Sequence, residues 1–240
     1  MKKSLAIALS AIIIVQNAAP VYAAEASVQA GDTITMGAFE QDGDYDNGDE
    51  PIEWLVLDID EETNRALVIS KYGLTPMLYN INEAAVTWET SYIREFLNEE
   101  LLPMIFTDEE AAKIVPTQLE NPDFDAEGCK VEGGNSTEDM LFVLSKEDVE
   151  TYFKSEEDRK CQPTVDAIAG EAWVVTQRMV KERPFAYSED EVGYGAWWIR
   201  DMGCTDQCAQ LVYADGSIPS YTIFSENYKA LARPAMWIQL

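Results

Sequence analysis

The sequence predicts an α+β domain: a mostly antiparallel sheet assembled from both ends of the chain, with short helices in the middle. Three observations carry this expectation. Residues 33–70 hold three β-rich runs separated by polar turns, the hydrophobic period becomes helical after Thr87, and the last fifth returns to apolar, β-rich runs. Strands gathered at the two ends, rather than alternating with helices, favour α+β order. The last run, Ala235-Met236-Trp237-Ile238-Gln239-Leu240, is unusually apolar for a chain end, since such ends are ordinarily polar and frayed. It is expected to be a strand locked into the core, so that the N- and C-terminal strands pair.

Lys2 and Lys3 precede the apolar run Leu5 to Val15, and Val21-Tyr22-Ala23 supplies a small-residue cleavage pattern. Residues 1–23 therefore read as a secretory signal peptide, 24–31 as a short linker, and 32–240 as a single domain. The apolar run is shorter than the roughly 20 residues that a membrane-spanning helix needs. Thr33 to Phe39 alternates, Ile52 to Ile59 is β-rich, and Ala66 to Ser70 follows the polar turn 60–64; together they predict an antiparallel meander. Tyr92, Ile93, Phe96, Leu97 and Leu101 fall at helical spacing, which predicts a helix over about 91–100 whose extension Pro103 limits. Thr107 with Glu110, and Ser145 with Asp148, are capping pairs that open two more short helices, the second running to about Phe153. Residues 117–139 read as a long ordered loop, 140–144 and 172–176 as strands, and 178–195 as a linker. Strands over 196–200, 209–214, 221–224 and 235–240 complete the sheet. Asp215-Gly216 marks a hairpin turn, because Gly tolerates positive φ.

Composition prunes the functions. The chain carries 17 basic and 44 acidic residues, a net charge of −27, and no histidine. Loss of the leader would remove Lys2 and Lys3 and no acid, so the remaining ~217 residues would carry about −29. Such a surface repels phosphate backbones and anionic membranes, which argues against nucleic-acid binding and membrane insertion. It favours divalent cations and basic partners, or simply solubility. The missing histidine excludes Ser-His-Asp and Cys-His nucleophiles and the histidine zinc motifs. Cys129, Cys161, Cys204 and Cys208 are an even set in an exported chain, which suggests disulfides. The expected pairs are Cys129–Cys161 and Cys204–Cys208, with a four-cysteine zinc site as the alternative. The expected localisation is secreted.

Gly31-Asp32-Thr33-Ile34, Pro51-Ile52-Glu53-Trp54-Leu55-Val56-Leu57, and Trp88-Glu89-Thr90-Ser91 with Arg94 and Leu97-Asn98 form one part of a pattern. Trp197-Trp198-Ile199-Arg200, Ala214-Asp215-Gly216 and Arg233-Pro234-Ala235-Met236-Trp237-Ile238 form the other. This pattern resembles the DUF6273 family of exported proteins from gut-type Gram-positive bacteria, a family without an assigned activity. The closing part is also similar to the ends of C-type-lectin-like and formylglycine-generating-enzyme-like domains. That similarity implies a C-type-lectin-like topology with pinned terminal strands and variable loops. It implies no function, because folds do not carry one. Asp201-Met202 replaces the Ser-Pro of the family's usual run, which implies a reshaped loop there.

Asp42, Asp44, Asp46 and Asp49 lie in a Gly-containing acidic turn that offers a hard cation such as Ca2+ several oxygens. The turn lacks the glycine an EF-hand has at its sixth position, where Asn47 stands. Trp197, Trp198 and Tyr213 supply aromatic faces that can stack on sugar rings. Neighbouring strand residues point to opposite faces, so at most one of the two tryptophans can meet a ligand. Trp198, Arg200, Asp201 and Tyr213 are accordingly the candidate ligand-binding residues, although Arg200 and Arg233 are also expected to pair with buried carboxylates. No catalytic residue stands out. The expected function is a secreted, non-catalytic module that binds a glycan or protein ligand through variable loops. The alternatives are a carboxylate-based enzyme, with or without calcium, and a structural or interaction module of a surface assembly.

Overall fold

The computed structural model describes residues 28–82, 84–126, 128–219, 223–224 and 228–240. The expected leader over 1–23 and the first half of the linker lie outside the described residues, as do Tyr221 and Thr222 of the expected strand. The strands are β1 (Thr33–Phe39), β2 (Glu50–Asp60), β3 (Arg65–Ser70), β4 (Thr75–Met77), β5 (Ile114–Val115), β6 (Thr117–Leu119) and β7 (Phe124–Ala126). They continue as β8 (Cys129–Val131), β9 (Thr137–Asp139), β10 (Trp197–Met202), β11 (Cys208–Val212), β12 (Ile223–Phe224), β13 (Ala230–Ala232) and β14 (Ala235–Gln239). One five-stranded sheet runs β1-β2-β3-β14-β5 and a second runs β12-β11-β10-β13-β4, with two small hairpins, β6-β9 and β7-β8. All pairings are antiparallel except β10 with β13. The α+β class holds.

The opening meander forms as its pattern predicts. In β2, Ile52, Trp54 and Val56 are buried at alternate positions, the period of two expected of a strand. In β3, Ala66 to Ser70 are all buried, as befits a strand covered on both faces. The Trp54 indole donates to the Met36 carbonyl at 2.8 Å, which ties β2 to β1. At the β1 irregularity Gly37 has φ 70°. A Cβ there would lie 2.6 Å from the Ile105 carbonyl oxygen and 2.7 Å from the Phe106 ring. Only glycine fits that crossing without strain.

The closing strand is fully integrated and joins the sheet of the opening meander as expected, through the meander's third strand. β14 pairs residue by residue with β3, from Ala235 opposite Ile69 to Gln239 opposite Arg65, and with β5 on its other side. It shares a sheet with β1, but β2 and β3 stand between them. The first and last strands are therefore not neighbours.

Three other expectations change for identifiable reasons. The helix expected to stop before Pro103 continues through it. Tyr92–Glu95 is α-helical, Phe96–Leu101 is a π stretch, and Leu102–Ile105 is α-helical again. Proline has no N–H for the carbonyl four residues back. The turn widens ahead of it, with the Leu102 N–H reaching Leu97 O. The bulge presents Asn98, whose amide donates to Leu141 O at 2.9 Å and whose carbonyl accepts from the N–H groups of Met140 and Leu141. Residues 141–144 are thus buried and Met140 half-buried, but they are not a strand. Asn98 takes the hydrogen bonds at 140–141, and only the Phe142–Ala235 bridge remains. Residues 117–139 carry the two small hairpins rather than a loop. Residues 172–176 make only the Val174–Gly195 bridge, and the linker expected over 178–195 contains a Thr176-capped helix, Gln177–Glu182, and a single turn, Glu189–Glu191. The Thr107 and Ser145 capping boxes are both present as expected.

One apolar core joins both sheets and includes Trp54, Trp88, Trp197 and Trp198, all fully buried. A separate small cluster of Val175, Val180 and Ala214 lies under Trp173, Tyr187, Val192 and Tyr194. Among the described residues no helix is long and apolar enough to cross a membrane.

Candidate functional site

The family-like residues in the middle of the chain build a buried polar brace. Asp139, at the end of β9, has almost no exposed side-chain surface and accepts from three groups. These are the Trp88 indole at 2.9 Å, the Thr137 hydroxyl at 2.7 Å and Arg94 Nε at 2.6 Å. Charge-assisted bonds of this kind are about twice as strong as neutral ones. Their task here is to hold a helix start against a hairpin.

The closing tryptophans are structural as well. Trp197 donates to Arg159 O at 3.0 Å and Trp198 to Met77 O at 2.8 Å, and neither has exposed surface. As folded, Trp198 offers no face to a ligand. Arg200 donates to the Asp148 carboxylate at 2.7 Å, so it has the carboxylate partner expected of it, although Asp148 is half-buried rather than buried. Asp201 accepts the Lys146 N–H at 2.7 Å. Burial is the main reason its carboxyl is pushed above the ordinary 3.8, with bonds from Lys146 and the nearby Arg200 opposing. Arg233 departs from the pattern. Its guanidinium is buried 4.9 Å from the Trp197 ring centre and 5.3 Å from that of Phe153, and its Nε donates to Ser70 O. Aromatic faces take the place of a carboxylate.

The acidic turn assembles differently from its sequence spacing. Asp44, Asp46 and Asp49 are exposed. Asp42 instead gathers with Glu40 and Glu50, with one oxygen from each within 4.8 Å of the others. Glu40 accepts from the Asp42 and Gly43 N–H groups, and Glu50 accepts from those of Gln41 and Asp42. These carboxylates already close the turn.

No disulfide joins any two of Cys129, Cys161, Cys204 and Cys208. Neither expected pair is formed. Cys161 is buried in a bridge to Gly195, whereas Cys129 belongs to the β7-β8 hairpin. Cys208 sits in β11 opposite Phe224 and accepts at sulfur from the Thr205 hydroxyl, while Cys204 lines a different cleft beside Lys130 and Val131. Burial pushes the Cys161 thiol up, against the pull of Arg233.

Two of the expected ligand residues reach clefts: Asp201 lines a small one of about 160 Å³ beside Lys146 and Gln210, and Tyr213 lines a larger, aromatic one. Tyr213 shares this cavity of about 400 Å³ with Trp173, Tyr187, Tyr228, Glu191 and Asp215. Sequence-distant segments converge there. The Trp173 N–H is bonded to Lys229 O, which sets the Trp173 and Tyr228 rings 5.6 Å apart, and Tyr187 lies 5.9 Å from Trp173 on the other side. Tyr213 N–H to Ser217 O closes the turn that carries Asp215, with Gly216 at φ 86°. Burial, then the neighbouring Tyr213 and Tyr187, push the Tyr228 phenol far up, so it stays a neutral hydroxyl. Phe185, one residue before the lining Ala186, is 90% exposed. Larger clefts exist, one of about 720 Å³ beside Cys204 among them, but none of their linings gathers aromatic rings in this way. A floor of aromatic faces with carboxylates at its edge can stack on a ring and accept hydrogen bonds or positive charge.

Sequence reasoning missed Trp173, Tyr187, Glu191, Asp215 and Tyr228 as a set. They span 56 residues with no shared period, so no local pattern could have joined them. A family model described as Domain of unknown function (DUF6273) matches residues 63–240. The match contains the Trp88 to Asn98 and closing motifs and begins after the Gly31 and Pro51 motifs. No curated protein and no solved structure matches the chain.

Proposed function

The chain belongs to the DUF6273 family, and we propose that it is an exported, non-catalytic binding module that takes a glycan in the cleft of Trp173, Tyr187, Tyr213 and Tyr228. The single observation that carries the reading is the convergence of these four half-buried rings on one open cavity of about 400 Å³. That volume suits one or two sugar rings within the usual range of small-ligand sites. Sugars present apolar ring faces to aromatics and hydroxyls to carboxylates, and this lining offers partners for both. The exposed Phe185 extends the aromatic surface past the cleft, as a longer chain would require. The proposal includes the C-type-lectin-like topology implied by the closing motifs, with the ligand held by loops at one edge of the second sheet.

Glycan-array screening of the leader-free protein beside its Trp173→Ala variant tests the reading. Binding that the variant loses supports it. A blank array, or binding that the variant keeps, retires it. Release of new reducing ends from a bound glycan would instead move the assignment to a carboxylate-based enzyme.

A further inference from the structure

Building on that reading, we infer that the cleft selects glycans bearing a free, protonated amino sugar over their N-acetylated forms. The lining is chemically one-sided. Four aromatic rings present faces whose quadrupole is negative, and such faces attract ammonium groups within about 6 Å of the ring centre. Two carboxylates, Glu191 and Asp215, stand at the same cavity, and among the described residues none of its lining residues is Lys or Arg. Both carboxylates are held in place by their own chain. Glu191 Oε1 accepts the Ser188 N–H at 2.9 Å, and Asp215 Oδ1 accepts the Ser217 N–H and hydroxyl at 2.9 and 2.7 Å.

A cation arriving here meets aromatic rings and two carboxylates whose oxygens are already oriented. An N-acetyl group brings no charge, and its carbonyl oxygen would face these same acceptors. This attraction is local, so it differs from the attraction any amine feels toward a chain of net charge −27. General attraction is exposed to solvent and fades within a Debye length. A contact desolvated between rings fades much less.

Titration calorimetry with a short oligosaccharide keeps the two effects apart. The probes are the β-1,4-linked glucosamine disaccharide and its di-N-acetylated counterpart, below the amine's pKa, at low and physiological salt. The amine form is expected to bind about tenfold more tightly, the scale of one desolvated cation–π contact with its carboxylate. Glu191→Gln with Asp215→Asn should remove most of that preference and leave the melting temperature close to the parent's. Equal or tighter binding of the N-acetyl form overturns the inference and leaves the glycan reading standing. No binding of either disaccharide counts against both. An amine preference that survives Glu191→Gln with Asp215→Asn and also Trp173→Ala is surface attraction, and it overturns the inference as well.

Discussion

Replacing Asp139 by alanine probes the brace on which the middle of the chain depends. The substitution leaves the Trp88 indole N–H without its acceptor in a fully buried site, a loss of about 1–3 kcal/mol. It also strips Arg94 of its carboxylate. Because the arginine side chain is 28% exposed, water compensates part of that loss, and about 1 kcal/mol is a fair share. With the Thr137 bond included, the sum is about 3–5 kcal/mol, the scale of breaking a buried pair from one side. For a domain of this length that lowers the melting temperature by roughly 6–20 °C. Asp139→Asn keeps an acceptor and should cost about half as much. Guanidinium unfolding of the parent, Asp139→Ala, Arg94→Met and the double variant gives the coupling directly. Asp139→Ala within 1 kcal/mol of the parent, or additivity of the two single changes within about 0.5 kcal/mol, would refute the brace.

Gly37→Ala should cost about 2–3 kcal/mol in the same unfolding assay, since the new methyl meets the Ile105 carbonyl at positive φ. A neutral result would show that β1 does not cross so closely. Asp201→Asn should be more stable than the parent at neutral pH. The raised carboxyl makes the native state hold a proton between 3.8 and its folded value, so the parent loses stability as pH rises through that window and carries the full penalty above it. Melting curves from pH 3 to 7 should show the gap between the two closing as pH falls below 3.8, and a gap independent of pH would contradict the burial argument. Arg233→Lys should destabilise by about 2–4 kcal/mol and more than Arg233→Met, because a compact ammonium cannot lie flat between the Trp197 and Phe153 rings. Equal stability of lysine and arginine at this position would remove the stacking role.

The ends of the fold were legible because their signals are local. Alternation in β2, the polar turn before β3, the capping pairs at Thr107 and Ser145, and the apolar run of β14 each lie within a few residues. What sequence could not supply was pairing at a distance. β14 pairs with β3 while β13 pairs with β4 in the second sheet, contacts between segments more than 150 residues apart. Residues 140–144 looked like a strand by composition, and a single side chain, Asn98, took the hydrogen bonds at 140–141. Of the closing tryptophans Trp198 was a candidate for binding and both are core, whereas Trp173 and Tyr228 drew no notice and line the cleft. Exposure is a property of the whole fold, and an aromatic residue in sequence carries no mark of which side it will take.

The most direct test of the central claim is hydrogen exchange of residues 24–240 with and without the glucosamine disaccharide. The account predicts slowed exchange confined to the segments around Trp173, 186–191, 213–217 and Tyr228, with Asp139 and its neighbours unchanged. Protection centred on the cleft beside Cys204, or none at saturating ligand, would contradict it.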